Sequence, residues 1–215
     1  MNLSPSRLWT TFQVWRLSAP WAGGRKWYQY LDFGNGLTTA RWSAGDPQLR
    51  TTSFLSFLHN QDLLTADDVI VDIGCNAGLF SLVAAQQCKQ VCGVEVDRPF
   101  WRQAQFLKGR WKAAGNRVDN VAFLHGDIMA HLDLFSQATV VFASKVLYHV
   151  LLGDRVFKLM EAIEQGPVRL IIMQGHTVRG EYGQDEGMRD LIMKHGFQYR
   201  LAVDVPEFPI AIASR

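Results

Sequence analysis

Three features of the sequence predict an α/β fold, a seven-stranded and mostly parallel sheet with helices on both faces, preceded by an N-terminal hairpin and helix. The first is alternation: from Val69 onward, short runs rich in β-branched residues trade places with segments of helical period, as strands joined by crossover helices do. The second is the stretch VIVDIGCNAGLFSL (69–82), where an apolar run meets an acid and then opens through a glycine-punctuated loop into a helix. The third is length, since 215 residues suit one sizeable core with some decoration.

Each element has its own signal. Residues 26–42, KWYQYLDFGNGLTTARW, alternate like a strand, break at Gly34, Asn35 and Gly36, and resume, which predicts a hairpin. PQLRTTSFLSFLHNQDLL (47–64) reads as the helix leading into the sheet. VIVDI (69–73) is the first strand, and GLFSLVAAQQC (78–88) a helix with Leu79, Val83 and Gln86 at helical spacing. VCGVEV (91–96) is the second strand. In RPFWRQAQFLKGRWKAAG (98–115), Phe100, Ala104, Leu107 and Trp111 recur at offsets of four, three and four, an apolar helical stripe. VAFLHGD (121–127) and TVVFASKV (139–146) follow as strands, with the short amphipathic IMAHLDLF (128–135) between them. DRVFKLMEAIEQG (154–166) is a helix that stops at Gly166. VRLIIMQ (168–174) is the fifth strand, DEGMRDLIMKHG (185–196) a helix, and FQYRLAVDV (197–205) and PIAIAS (209–214) close the sheet. With no internal repeat or low-complexity linker, residues 1–64 read as a cap on the same domain that residues 65–215 build.

Composition narrows the function classes. A net charge of +2 is too small to argue for nucleic acid on electrostatics. Seven Trp and thirteen Phe supply either an aromatic-lined pocket or a bulky core, and the core is the ordinary use. Cys75, Cys88 and Cys92 form no disulfide framework, and no His or carboxylate cluster joins Cys88 and Cys92 into a metal site, so buried thiols in a reducing compartment are expected. No stretch approaches the roughly eighteen apolar residues that span a bilayer, and the N-terminus lacks a secretory pattern; a cytoplasmic protein without a membrane span is the expectation.

In an open α/β sheet, ligands sit beyond the carboxyl ends of the strands, beside the first one, where GCNAG (74–78) lies. A P-loop would end in Gly-Lys-Ser/Thr, which is absent. A dinucleotide fingerprint would put glycines where this chain has Gly74, Asn76 and Leu79; the missing second glycine is the one that admits a pyrophosphate. What remains is close backbone approach to a ligand without a phosphate chain.

VDIGCNAG resembles the first motif of the class I S-adenosylmethionine-dependent methyltransferases, with Asn76 standing at the middle glycine and able to adopt left-handed backbone. The resemblance implies a Rossmann-like domain, S-adenosylmethionine as cofactor and methyl transfer as the activity. Gly74, Cys75, Asn76 and Gly78 would form the loop around the cofactor, with Asp72 organising it by accepting backbone N–H bonds and facing the methionine ammonium. Glu95, 21 residues beyond Gly74, would take the ribose hydroxyls, followed by Val96, while Asp97 would point to solvent. Asp127, in HGDI, would accept from the adenine amino group, with Ile128 packing on the ring. "LYH", "GCNAGLFS" and "RQAQFL" together are similar to methyltransferase-like domains related to the tRNA wobble-uridine carboxymethyltransferase, over roughly residues 65–175.

The acceptor end falls on FASKVLYHV (142–150). Ser144 adjoins the cofactor, Lys145 either binds an anionic acceptor or is solvated, Tyr148 would orient the acceptor, and His149 either removes its proton or caps a helix. The loop QGHTVRGEYGQDEG (174–187), with His176, Arg179, Glu181 and Tyr182, reads either as a lid or as ordinary surface. His59, His125, His131 and His195 read as surface or cap residues, and the basic residues on and beside 98–115 as a solvated face. The expected acceptor is an oxygen or nitrogen of a small molecule or glycan. The alternatives are RNA modification, which a longer basic N-terminal extension would favour, and a non-catalytic binding module on the same fold.

Overall fold

The computed structural model describes residues 5–33, 37–39, 47–144, 154–174, 184–203 and 209–215. Helix α1 (Pro5–Ser18) and a 3-10 turn (Pro20–Ala22) precede α2 (Pro47–Asn60). Then come β1 (Val69–Ile73), α3 (Leu79–Ala84), β2 (Gln90–Glu95), α4 (Arg98–Ala113), β3 (Val121–His125), β4 (Val140–Ser144), α5 (Arg155–Gln165), β5 (Leu170–Gln174), α6 (Gln184–Lys194), β6 (Gln198–Val203) and β7 (Ile210–Ser214).

The seven strands lie in the order β3-β2-β1-β4-β5-β7-β6, and β7 alone runs against the rest. Strand period divides the core. Ile70, Val140, Phe142, Leu170 and Ile172 face the layer that includes Val14, Trp27, Phe54 and Leu107. Val71, Ile73, Val141, Ala143 and Ile171 face the layer of Phe135, Leu159, Ile163 and Ile192. The expected α/β sheet with helices on both faces is what forms, and residues of the N-terminal segment share its core.

In the N-terminal segment one expected feature forms and one is new. The expected hairpin is seen at its tip, where Asp32 bridges Thr38 with Phe33 N–H on Leu37 O and Thr39 N–H on Leu31 O; Gly34, Asn35, Gly36 and residues 40–46 lie outside the described residues. The segment is also folded inward: Trp27 is fully buried with its indole N–H on Val14 O, and the Thr39 hydroxyl serves both Gln29 O and Leu31 N. Helix α1 has no counterpart in the sequence reading. It packs on α4, where Gln103, completely buried, donates from Nε2 to Leu17 O (3.2 Å) and Arg25 O (2.6 Å).

Candidate active site

The loop between β1 and α3 sits at the carboxyl edge of the sheet, where the order passes from β2 through β1 to β4. Its turn uses three left-handed residues, Gly74 (φ 67°), Asn76 (φ 55°) and Gly78 (φ 76°). Asn76 is the one non-glycine residue of positive φ among those described, and its Oδ1 accepts from Ala77 N–H (2.9 Å), the local bond that makes Asn tolerable there. Gly74 and Cys75 N–H both donate to Val94 O (2.8 and 3.2 Å), fastening the loop to β2. A methyl on Gly78 would stand 2.3 Å from Phe123 Cζ, so α3 starts hard against β3.

Glu95 closes β2 and is only 5% exposed. Its Oε2 accepts from Asn76 N–H and its Oε1 from Asp97 N–H, both at 2.8 Å. Burial pushes its carboxyl up to about 7, against the pull of the Asn76 and Val96 amides and of Arg25 and His125. Asp72 is also pushed up to about 7, by burial first and then by the charge of Glu95, with the Ser81 hydroxyl bond (2.5 Å) opposing. The two acids therefore divide the work differently from the expectation. The Asn76 N–H of the loop goes to Glu95, while Asp72 holds Ser81 of α3. The reason is strand parity, which turns Asp72 under α3 and leaves Glu95 at the strand end facing the turn.

Asp127 accepts from Met129 N–H (3.0 Å) and takes Arg155 Nη2 on both oxygens (2.7 and 2.5 Å), which hold its carboxyl below the usual range although its partial burial opposes them. Asp97 is turned onto Arg25, which also lies over the Phe100 ring, so it does not point to solvent. Val96 stands 67% exposed past the end of β2. Ile128 is instead packed into the core with Val94, Val71 and Phe135, which leaves little of it for a ligand. Cys75 is likewise turned inward: its Sγ sits over Gly93, where a methyl would come within 2.8 Å, and burial holds the thiol well above its ordinary pKa. Ser144, the last residue of β4, donates to Gln174 Oε1 at the end of β5 (2.9 Å).

Gly74, Cys75, Asn76, Gly78 and Glu95 are thus brought together around one turn, with Asp72 beneath it, and Val96, Asp127 and Ser144 stand at neighbouring strand ends. Lys145, Tyr148, His149, His176, Arg179, Glu181 and Tyr182 lie outside the described residues. Four participants escaped the sequence reading. Gln29 accepts from Leu79 N–H (3.0 Å) at the start of α3, Gln103 ties down the N-terminal segment, Arg25 reaches Asp97, and Arg155 reaches Asp127. The only signal in the sequence was negative, a polar Gln103 beside Ala104 in the buried stripe of α4.

Residues 71–165 match the family model described as a methyltransferase domain. Among solved structures, the N-terminal domain of EvdMO1, determined with S-adenosylhomocysteine and D-fucose, is similar at a TM-score of 0.66 and 15% identity, with 97% of this chain and 96% of that one covered. Magnesium protoporphyrin IX methyltransferase from Synechocystis PCC 6803, with bound S-adenosylmethionine, is similar at 0.59 and 18%, covering 96% and 91%. Both share the Rossmann-like fold seen here. By sequence, 84 residues are 33% identical to the 23S rRNA (uracil(1939)-C(5))-methyltransferase of Aliivibrio salmonicida, a match spanning 39% of this chain and 18% of that one.

Proposed function

We propose that the chain moves the methyl group of S-adenosylmethionine to an oxygen, or a nitrogen, of a small molecule or glycan, a reading supported by the match of residues 71–165 to a methyltransferase domain and by the shared fold. The observation that carries the reading is Glu95. A nearly buried carboxylate holds the loop through Asn76 N–H and its own strand exit through Asp97 N–H, and so fixes the cofactor turn against the acid that would grip the ribose.

The residues fit such a ligand. Three left-handed positions shape the turn, two of them, Gly74 and Asn76, partly open to solvent; Glu95 keeps lone pairs beyond its two amide bonds, and Val96 offers an apolar face beyond the strand. Asp127 would accept from the adenine amino group, beside the little of Ile128 that remains open. Gly74, Cys75, Asn76 and Gly78 would cradle the cofactor by backbone alone, and Asp72 would act from beneath, as a buried acid near the methionine end.

When bound, the cofactor supplies a methyl group on a positively charged sulfur, open to in-line displacement. The protein's contribution is then positional. Ser144 and Gln174 mark the carboxyl ends of β4 and β5, over which the acceptor would lie. On an acceptor hydroxyl, the carbon–oxygen bond forms as the carbon–sulfur bond breaks, and the proton leaves to a base. His149 is the proposed base, Tyr148 the orienting group and Lys145 the partner of an anionic acceptor.

An RNA acceptor is the second reading, favoured by the partial match to the rRNA enzyme and opposed by the low net charge. Titration calorimetry with S-adenosylhomocysteine tests the site. Incubation with methyl-labelled S-adenosylmethionine and separated small-molecule, glycan and RNA fractions tests the acceptor. Heat of binding with label entering a small-molecule or glycan fraction is expected. Label in RNA alone would select the second reading, binding without transfer to any fraction would support a binding module, and no heat would end the proposal.

A further inference from the structure

Helix α1 is amphipathic in the opposite sense from an ordinary surface helix. At helical period, residues 8, 9, 12, 15 and 16 share one arc, and there Leu8, Trp9, Phe12, Trp15 and Arg16 are all exposed. On the opposite arc Thr10, Gln13, Val14, Leu17 and Ser18 are buried. The outward face is therefore more apolar than the inward one, the reverse of the usual arrangement. The rings form a continuous ridge: Trp9 to Phe12 at 6.0 Å, Phe12 to Trp15 at 5.9 Å, and Trp15 to Trp21 at 5.0 Å, with Trp21 74% exposed on the following turn. Five of the nine exposed large apolar side chains among the described residues fall between positions 8 and 21. Such a patch marks an interaction surface.

Charge and ring type identify what covers it. Residues 1–31 hold four basic residues, Arg7, Arg16, Arg25 and Lys26, and no acid. The rest of the chain holds 18 basic against 20 acidic residues, a net of −2. The positive charge is concentrated on the segment that carries the exposed rings. Aromatic rings backed by basic side chains suit the boundary between phospholipid headgroups and acyl chains, where indole is at home and anionic headgroups meet arginine and lysine. A second copy seated on the same ridge would set two acid-free basic segments face to face. We infer that α1 and the Pro20–Ala22 turn dock the protein on anionic lipid bilayers, with Trp9, Phe12, Trp15 and Trp21 entering the interface and Arg16 and Lys26 meeting the headgroups. The mount is rigid, since Gln103 grips the carbonyls of Leu17 and Arg25 and Arg25 pairs with Asp97 at the end of β2. This docking lies beyond the methyl-transfer reading and is independent of it.

Vesicle sedimentation and tryptophan emission of the full chain test it without any cofactor. Vesicles of phosphatidylcholine mixed with phosphatidylglycerol should carry the protein down and shift its emission to the blue, and pure phosphatidylcholine should do so weakly. Trp9→Ser/Phe12→Ser/Trp15→Ser should lower partitioning by about a hundredfold, and Arg16→Glu/Lys26→Glu by about tenfold on the anionic vesicles only. Circular dichroism reports whether the triple variant keeps its fold, and Trp21→Ser, on the turn, gives a second test with about a tenfold loss if it does not. Four results would overturn the inference: wild-type protein left in the supernatant, binding that survives these substitutions, a concentration-dependent dimer abolished by them in place of lipid binding, or RNA binding abolished by them in place of lipid binding.

Discussion

Asp68 and Asp72 stand at the two ends of β1, both nearly buried, and meet opposite fates. Asp68, at the amino edge, accepts from Thr65 N–H (2.7 Å), the Thr139 hydroxyl (2.7 Å) and the Arg169 guanidinium (2.6 Å), while Arg169 also holds Leu63 O. Burial works against its charge, yet these partners keep its carboxyl below the ordinary range. Asp72, at the carboxyl edge, has a hydroxyl and the charge of Glu95 for company, and neither Asp72 nor Glu95 makes an ion pair among the described residues. One edge is finished by the protein's own cations. The other keeps acids in low dielectric without an ion pair to the protein's own cations among the described residues, as the proposed binding edge would require.

The sharpest way to break this contrast is Glu95→Ala. Loss of charged hydrogen bonds should cost on the order of 2–3 kcal/mol of S-adenosylhomocysteine affinity, about a hundredfold in Kd by calorimetry. Unchanged affinity would remove Glu95 from the ribose role. At the supporting edge, Asp68→Asn should cost about 2 kcal/mol of stability by urea unfolding, less than a fully buried pair because Arg169 is partly exposed, while leaving cofactor affinity alone.

Acidity separates the edges next. Asp72 and Glu95 have folded pKa values near 7, above their unfolded values of 3.8 and 4.5. Their contribution to stability is therefore full below about pH 4 and is lost as pH rises through about 7. Asp68, with its folded pKa lowered, has the opposite sign: its contribution is present above 3.8 and lost as pH falls through its lower folded value. The melting temperature of ligand-free protein should accordingly decline from about pH 5 to pH 8, and Asp72→Asn should flatten that decline; an undiminished slope would remove Asp72 as its source. The smallest effect belongs to Arg155→Ala. Releasing a half-exposed Asp127 from the guanidinium should raise S-adenosylhomocysteine affinity by about threefold at low salt, and weaker binding would instead mean that Arg155 orients the acid.

The sheet was legible because strand parity and helical period leave a repeating trace, and every strand from VIVDI to PIAIAS left one. The turn was legible because Gly74, Asn76 and Gly78 can adopt backbone that other residues avoid. Helix α1 left a misleading trace, since its large apolar residues face outward and a search for a core-facing stripe passes over it. The hairpin was legible from the same alternation: in KWYQYLDF it reflects Trp27 and Leu31 turning into the core of one layer, with Asp32 bridged to Thr38 beyond them. Gln103, Arg25, Arg155 and Arg169 act on partners far away in the chain, and distance in sequence carries no periodic signal. The roles of Asp72 and Glu95 could be named from position but not divided, because the division depends on which side of β1 lies beneath α3.

Gly93 has a chemical consequence beyond packing. If the loop cradles an alkylating cation, as proposed, a thiol within it would risk self-alkylation. The bare strand position opposite gives the sulfur of Cys75 somewhere to go, under the turn and away from any electrophile, where it stays protonated and a poor nucleophile. A side chain at 93 would evict that sulfur, and the turn would then carry its own suicide substrate.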